Sequence, residues 1–509
     1  MAEGEEATVL TQVHSAARAT DRGLICAPVD SLGRSRLGEL TLRSWAQVNE
    51  TARAVAGGLQ AVGVVPGDAV AVLAGSASEV ASLVQGIWMR GASVTMVHHP
   101  THRSELAAWI ADTTTVLAGL GTSTLVIGSP FEAAFGQFVE AAGIGCVRVA
   151  DLLSSGPASA TVMPDEDRVA LLQLTSGSTG RPRGVSITFA NLEANIRAMA
   201  KASRLDLRSD VTVSWLPLFH DMGMTGFLLF PMYFGMDAVA VTPADFLSDP
   251  LLWPRLISRY RGTLTAAPNF AYDLVARRLH SVPTGTFDLS CLRFALSGGE
   301  RIAPATLDRF LTSTARFGVR PDAIVPAYGM AEATLAISFT RPGEGYRICA
   351  TDPASSPGES EQRVALGRPL EGCEVRVVAP DGADLGRMAS GEFQIRGANV
   401  SAGYRTSAGF EPACDPQGWL TTGDLGYLTE DGQPVLCGRS KDVLVISGRT
   451  VDPGDIECAA AGVAGVRPGG IAAVRLPMDS AREGFAVVVE SAAHADPDES
   501  SRIRTEAAG

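Results

Sequence analysis

Val70-Ala71-Val72-Leu73-Ala74-Gly75-Ser76-Ala77-Ser78-Glu79-Val80-Ala81-Ser82-Leu83-Val84-Gln85-Gly86-Ile87-Trp88 is the stretch whose reading decides the fold class. Its first four residues are apolar without alternation, which marks a buried strand. Ser76 and Glu79 then stand at capping-box spacing, and Val80, Leu83, Val84, Ile87 and Trp88 recur on one helical face. The same grammar extends outward. Val94–Val97 reads as the next strand, Glu105–Ala111 as a helix and Leu125–Ile127 as another strand. Strand–helix–strand alternation of this kind predicts an α/β fold with mainly parallel sheets flanked by helices. It resumes after a loose stretch, Ser154–Asp167, and runs to about Leu296. A second loose stretch, rich in Gly, Pro and Ser, covers Arg341–Gln362. Beyond it Glu371–Val378 and Gly391–Ile395 read as strands of a smaller, β-rich part.

The chain has 509 residues, and ~100–200 residues per domain suggests about three compact units. No run approaches the ~18 apolar residues of a membrane span. The start, Met-Ala-Glu-Gly-Glu-Glu, is acidic where a secretory signal is basic and then apolar, so a cytoplasmic location is expected. A net charge of -13 argues against a general nucleic-acid binder. Eight cysteines, Cys291 and Cys437 among them, form no Cys-x-x-Cys pair and read as reduced core thiols. Seven histidines show no metal-ligand spacing; His98 and His99 are adjacent, and strand neighbours point to opposite faces. Only Lys201 and Lys441 are lysines, so a lysine-dependent step has two candidates.

Four motifs carry chemistry. Thr175-Ser176-Gly177-Ser178-Thr179-Gly180-Arg181-Pro182-Arg183-Gly184 follows the apolar run Val169–Leu174. Its small residues let backbone N–H groups and hydroxyls approach phosphate oxygens, and arginine adds a forked cation. It is not a Walker loop, and alone it is equally a surface loop. Tyr328-Gly329-Met330-Ala331-Glu332-Ala333-Thr334 places a carboxylate after the strand-like Ala323–Val325, a position suited to Mg²⁺ facing a nucleotide. Thr422-Gly423-Asp424-Leu425-Gly426 and Gly438-Arg439-Ser440-Lys441-Asp442 offer an acceptor for ribose hydroxyls and a cation. Each alone could be a turn or a solvated charge; their order makes coincidence a poor account.

The series resembles the core motifs of the acyl-adenylate-forming superfamily. Ser214-Trp215-Leu216-Pro217-Leu218-Phe219-His220-Asp221-Met222-Gly223-Met224, Ala266-Ala267-Pro268-Asn269-Phe270-Ala271-Tyr272 and Ser297-Gly298-Gly299-Glu300 resemble those of the fatty acyl-AMP ligases. The resemblance spans nearly the whole chain. It implies a large N-terminal adenylate-forming domain over 1–440 and a C-terminal α+β lid over 441–509, with Lys441 at the hinge. It implies that Thr175–Gly184 handles the ATP phosphates, that Ser297–Glu300 with Tyr328, Gly329, Met330 and Ala331 frames the adenine, and that Glu332 holds Mg²⁺. Asp424 and Arg439 would hold the ribose. His220, Met224, Phe227, Asn269 and Tyr272 would line the acyl pocket, although a run such as Met222–Phe230 is more often plain core. The stretch Arg341–Gln362 falls where such ligases carry an insertion that hinders coenzyme A use.

The implied reaction joins a fatty acid to AMP with loss of pyrophosphate, and then passes the acyl group to the phosphopantetheine thiol of a carrier protein. Two departures stand against full activity. Arg183 replaces the usual lysine of the phosphate loop, keeping charge but not shape. The sequence also reaches Gly509 without the lid's Pro-Lys-Thr-x-x-Gly-Lys-like motif, and losing one preorganised contact costs ~10²–10³ in rate. A shortened lid would leave strand surface exposed at Gly470–Leu476 and Phe485–Val489. The rival readings are an acyl-CoA synthetase and a catalytically weakened acyl- or nucleotide-binding protein.

Overall fold

The computed structural model describes residues 8–508 apart from 101–103, 142, 159–160, 176–182, 352, 354–361, 442–443, 447–448, 452, 462, 476–484 and 492–495. Two large sheets dominate. The first has nine strands in the order Arg368–Pro369, Ala336–Phe339, Ile324–Gly329, Phe294–Ser297, Leu264–Ala267, Val211–Ser214, Asp237–Ala240, Gly23–Cys26 and Thr41–Ser44. Its middle, from Ile324–Gly329 to Gly23–Cys26, is parallel, and both ends are antiparallel. The second has eight strands centred on Ala69–Leu73, with Ser93–Met96 and Thr122–Ile127 on either side, all parallel. Beyond Ser93–Met96 the hairpin Val169–Thr175/Arg183–Thr188 continues this sheet.

The parallel strands read as unbroken apolar runs because both their faces are covered. Val70 through Leu73 are wholly buried, and helix Ala77–Trp88 packs on helix Trp45–Ala61 between the sheets. That contact is close. A Cβ on Gly86 would fall 2.5 Å from Val55 Cγ1 and 2.8 Å from the Ala52 carbonyl oxygen. Two indoles fix the layers: Trp45 Nε1 donates to the Met236 carbonyl at 2.7 Å, and Trp88 Nε1 to the Ala170 carbonyl at 3.0 Å. Burying an indole without its partner would cost roughly 1–3 kcal/mol.

The expected capping box is only half right. Ser76 is the N-cap of Ala77–Trp88, but its side chain makes no capping bond. Glu79 instead accepts the Ser129 N–H at 3.0 Å, bracing the loop after Thr122–Ile127. The helix expected over Glu105–Ala111 forms and runs on as Leu106–Gly119.

The β-rich part is a four-stranded antiparallel sheet, Cys373–Val378, Gly391–Gly397, Leu420–Leu428 and Pro434–Arg439. The loose stretch before it contributes Ile348–Ala350, paired with Gln362–Val364; most of the residues between them lie outside those described. After Arg439 come the hairpin Leu444–Ile446/Arg449–Val451, helix Pro453–Ala461, the pair Val466–Arg475/Phe485–Ser491 and helix Pro497–Ala508. The expected boundary at 440/441 falls in the turn between the sheet and this segment. Val474 and Val488 on the last strand pair are exposed, at 45% and 58%.

Glu79 generates a prediction. Burial, with the Glu132 charge adding, raises its carboxyl from 4.5 to about 7. The folded chain therefore holds this proton where the unfolded chain releases it, and the contribution to stability is full below pH 4.5 and falls as pH rises to about 7. Glu79→Gln should flatten that fall and stabilise the protein above neutrality, measured by denaturant midpoints across pH. A pH profile parallel to the parent's would contradict it.

Candidate active site

A cavity of about 1080 Å³ opens where the C-terminal ends of the first sheet's strands meet the hairpin of the second sheet and the edge of the small sheet. Ligands of open α/β sheets bind at such strand ends. Thr175 and Arg183 pair across the hairpin and both line the cavity. The rest of the phosphate-loop motif, Ser176, Gly177, Ser178, Thr179 and Gly180 included, lies outside the described residues. The Arg183 guanidinium sits 4.4 Å over the Tyr404 ring, and the Tyr404 hydroxyl donates to Glu332 Oε1 at 2.9 Å. A cation, a phenol and a carboxylate are thus stacked along one wall.

Ala327, Tyr328, Gly329, Met330, Ala331 and Glu332 line the cavity consecutively as the strand Ile324–Gly329 turns back. The turn needs glycine: a Cβ on Gly329 would meet the Leu335 carbonyl oxygen at 2.1 Å, the same oxygen that accepts the Met330 N–H. Two residues past Glu332, Thr334 adopts φ 67°, which is strained for a β-branched residue. Its hydroxyl holds it there by donating to the Asn399 carbonyl at 2.7 Å. Glu332 is thereby mounted on a fixed turn.

The small sheet closes the mouth. Asp424 stands opposite Arg439 in adjacent strands, and Arg439 Nε donates to its Oδ1 at 2.9 Å. The Tyr328 hydroxyl donates to Oδ2 at 2.6 Å. Asp424 is buried and does not itself line the cavity, whereas Tyr328, Thr422, Gly423, Arg439 and Lys441 do. Gly298 and Gly299 lie on the adjoining wall, with Ser297 buried beneath and its hydroxyl without a hydrogen-bond partner among the described residues. Glu300 is absent from the lining; its Oε1 accepts the Phe270 N–H at 2.7 Å, and burial raises its carboxyl pKa.

The residues expected at the acyl pocket divide into two groups. The structure brings His220 and Phe227 to the cavity and leaves Met224, Asn269 and Tyr272 out of the lining. Tyr272 is wholly buried, its hydroxyl donating to the Leu296 carbonyl at 2.7 Å and its ring edge-on to Trp253 and Phe310. Asn269 Oδ1 accepts the Ala303 N–H at 3.1 Å, tying down a loop. Met222–Leu229 winds as a π-helix, so residues five apart share a face; Met222 and Phe227 reach the cavity while Met224 enters the core.

The cavity also has an apolar arm on one face of the first sheet. Thr212, Leu264 and Phe294 are registered neighbours across three parallel strands, and Ala266 and Leu296 form the next row. All five line the cavity, roofed by Met222, Phe227 and Phe230 and walled by Phe339, whose ring packs edge-on against Phe294. Period-two spacing, Leu264-x-Ala266 and Phe294-x-Leu296, was the available signal.

His220, Phe219 and His98 also line the cavity, and Gln173 Nε2 donates to the Phe219 carbonyl at 2.8 Å. Asp221 Oδ1 lies 2.6 Å from His220 Nδ1 and raises that imidazole's pKa, with burial opposing. Burial, with the His220 charge adding, lowers that of His98. Among the described residues no group of three or more His, Cys, Asp or Glu is placed to hold a metal by itself, and no helix is long and apolar enough to cross a membrane.

The pattern of AMP-binding enzymes matches residues 37–405. The chain belongs to the AMP-binding enzyme family, within the acyl-adenylate-forming superfamily. This AMP-binding enzyme is 48% identical over 477 residues to the Mycobacterium tuberculosis (strain H37Rv) protein Rv1013, named as a ligase, spanning 91% of this chain and 87% of that one. It is 34% identical over 369 residues to the long-chain-fatty-acid–AMP ligase FadD23 of Mycobacterium tuberculosis (strain CDC 1551), spanning 67% and 62% of the two chains. A solved structure from a study of fatty acyl-adenylate ligases of E. coli and L. pneumophila superposes with a TM-score of 0.88 at 28% identity, covering 99% of this chain and 91% of its own.

The His220–Asp221 contact gives a test. A raised imidazole pKa contributes stability below pH 6.5 that is lost as pH rises through the raised value. Asp221→Asn should bring the His220 titration down in an NMR pH series. An unmoved midpoint would mean that Asp221 does not hold the proton there.

Proposed function

We propose that the protein activates a fatty acid with ATP, forming the acyl-adenylate and releasing pyrophosphate. The observation that carries this reading is the shape of the single cavity described above. A polar chamber with two arginines, a lysine and the carboxylates of Asp221, Glu332 and Glu392 continues directly into an apolar arm, so a charged head and an alkyl tail are both accommodated.

In this reading a carboxylate oxygen of the acid attacks the α-phosphorus in line, the bond to the bridging oxygen of pyrophosphate breaks, and a mixed anhydride remains. No covalent enzyme intermediate is required, and catalysis is positioning with charge neutralisation. Arg183 and the loop Thr175–Gly184 would hold the phosphates. Glu332, with one oxygen held by Tyr404, fits Mg²⁺, which is commonly bound by one or two carboxylates together with substrate phosphates. The ion would offset charge on the leaving pyrophosphate. Tyr328, Gly298 and Gly299 would flank the base, with Ser297 and Glu300 supporting that wall. Arg439, held by Asp424, would meet the ribose. His220, which lines the cavity, would stand beside the acid's carboxylate. Lys441 borders the mouth at the junction we assign as the hinge between 1–440 and 441–509.

As acceptor of the acyl group we favour the phosphopantetheine thiol of a carrier protein, a reading supported by the AMP-ligase name of FadD23. Holo carrier protein should accept the acyl group from the preformed adenylate, whereas coenzyme A should not; the reverse would make the enzyme an acyl-CoA synthetase.

Acid-dependent exchange of labelled pyrophosphate into ATP tests the adenylation step. Glu332→Ala should lower it by ~10²–10³-fold with the thermal midpoint nearly unchanged. ATP binding without exchange for any acid would leave a nucleotide-binding protein and overturn the proposal.

A further inference from the structure

We infer that Met199, on the last turn of helix Phe189–Ala202, sets the longest acyl chain the site accepts. The inference rests on the adenylation reading and adds which residue measures the substrate.

The apolar arm has a direction. It begins beside Gly298, just past the C-terminal end of Phe294–Ser297, and reaches Phe294 at the other end of that strand, so it runs ~13 Å along the sheet. At the far row, Thr212–Leu264–Phe294, the lining is completed by Met199 and Ser203, four residues apart on one helical face. Both are almost closed to outside solvent, at 8% and 4% exposure. The arm therefore ends at this helix turn.

The backbone of that end cannot easily recede. Arg293 Nη1 donates to the Ser203 carbonyl at 2.8 Å and Nη2 to the Arg204 carbonyl at 3.2 Å. The same guanidinium binds the fully buried Asp210 carboxylate, which also accepts from the Thr263 hydroxyl and the Asp206 N–H. An arginine clamping the last carbonyls of a helix satisfies groups that otherwise lack partners. Ser203 is short, and its hydroxyl bonds the Ala200 carbonyl at 3.2 Å. The thioether of Met199 is thus the one long, unbranched side chain on the fixed wall, able to change rotamer but not to leave.

The test is pyrophosphate exchange measured over an even-carbon series of straight saturated acids, for the parent, Met199→Ala and Met199→Phe. The alanine variant should favour longer acids and the phenylalanine variant shorter ones, each changing the ratio of kcat/KM for the longest to the shortest accepted acid by ~10-fold or more. General damage to packing would lower all lengths together and cannot move the two variants in opposite directions. If the parent exchanges and both variants keep its length profile, Met199 is not the limit. If the parent exchanges with no acid, the adenylation reading falls and the inference falls with it.

Discussion

The Tyr328 hydroxyl, bonded to Asp424, is the contact on which the site depends. Tyr328 ends a parallel strand of the first large sheet, Asp424 belongs to the small antiparallel sheet, and Arg439 holds the other carboxylate oxygen from the neighbouring strand. A buried bond to a charged acceptor is worth roughly 1.5–3 kcal/mol, and losing one partner leaves the carboxylate exposed to its full desolvation cost. The link therefore fixes where the small sheet sits against the strand ends. It also keeps the phenol protonated, since burial and the Asp424 charge both raise its pKa. The cavity mouth is built from this joint.

The second constraint is the register of parallel strands. Because Thr212, Leu264 and Phe294 lie in one row and Ala266 and Leu296 in the next, their side chains form a graded apolar floor, low at Ala266 and higher at Phe294. The π-helix Met222–Leu229 roofs it, and its wider winding turns Phe227 inward with Met222. Polar chamber and apolar arm are consequently parts of one sheet surface, the first at its C-terminal edge and the second along its face. In the proposed reaction the bond between acid and phosphate forms at their junction, beside His220.

Much of this was legible in the sequence. Unbroken apolar runs such as Val70–Leu73 mark strands covered on both faces, and helix Ala77–Trp88 follows from its apolar face. The ordered motifs around Thr175, Glu332, Asp424 and Arg439 pointed to a nucleotide, and the pattern of AMP-binding enzymes agrees with that family. The apolar arm was not legible in the same way. Tyr272 and Asn269 stand in a motif beside the site, yet their polar groups are spent on Leu296 and Ala303 backbone atoms. Met199 and Phe294 look like ordinary core residues, and only the pairing of distant strands brings them to one wall. Glu79 shows the local version of the problem: capping-box spacing is real, but a loop fifty residues on offered its carboxylate a better donor.

The central claim is that a carboxylate attacks the α-phosphorus of ATP in this cavity, and oxygen transfer tests it most directly. An acid carrying heavy oxygen in its carboxylate, turned over with ATP and a thiol or hydroxylamine acceptor, should deliver one labelled oxygen to the phosphate of AMP. This follows because the oxygen that attacks phosphorus stays there when the acyl group leaves. Label in AMP in proportion to acyl product is the predicted result. AMP free of label, with acyl product formed, would show that activation proceeds by another route and contradict the account.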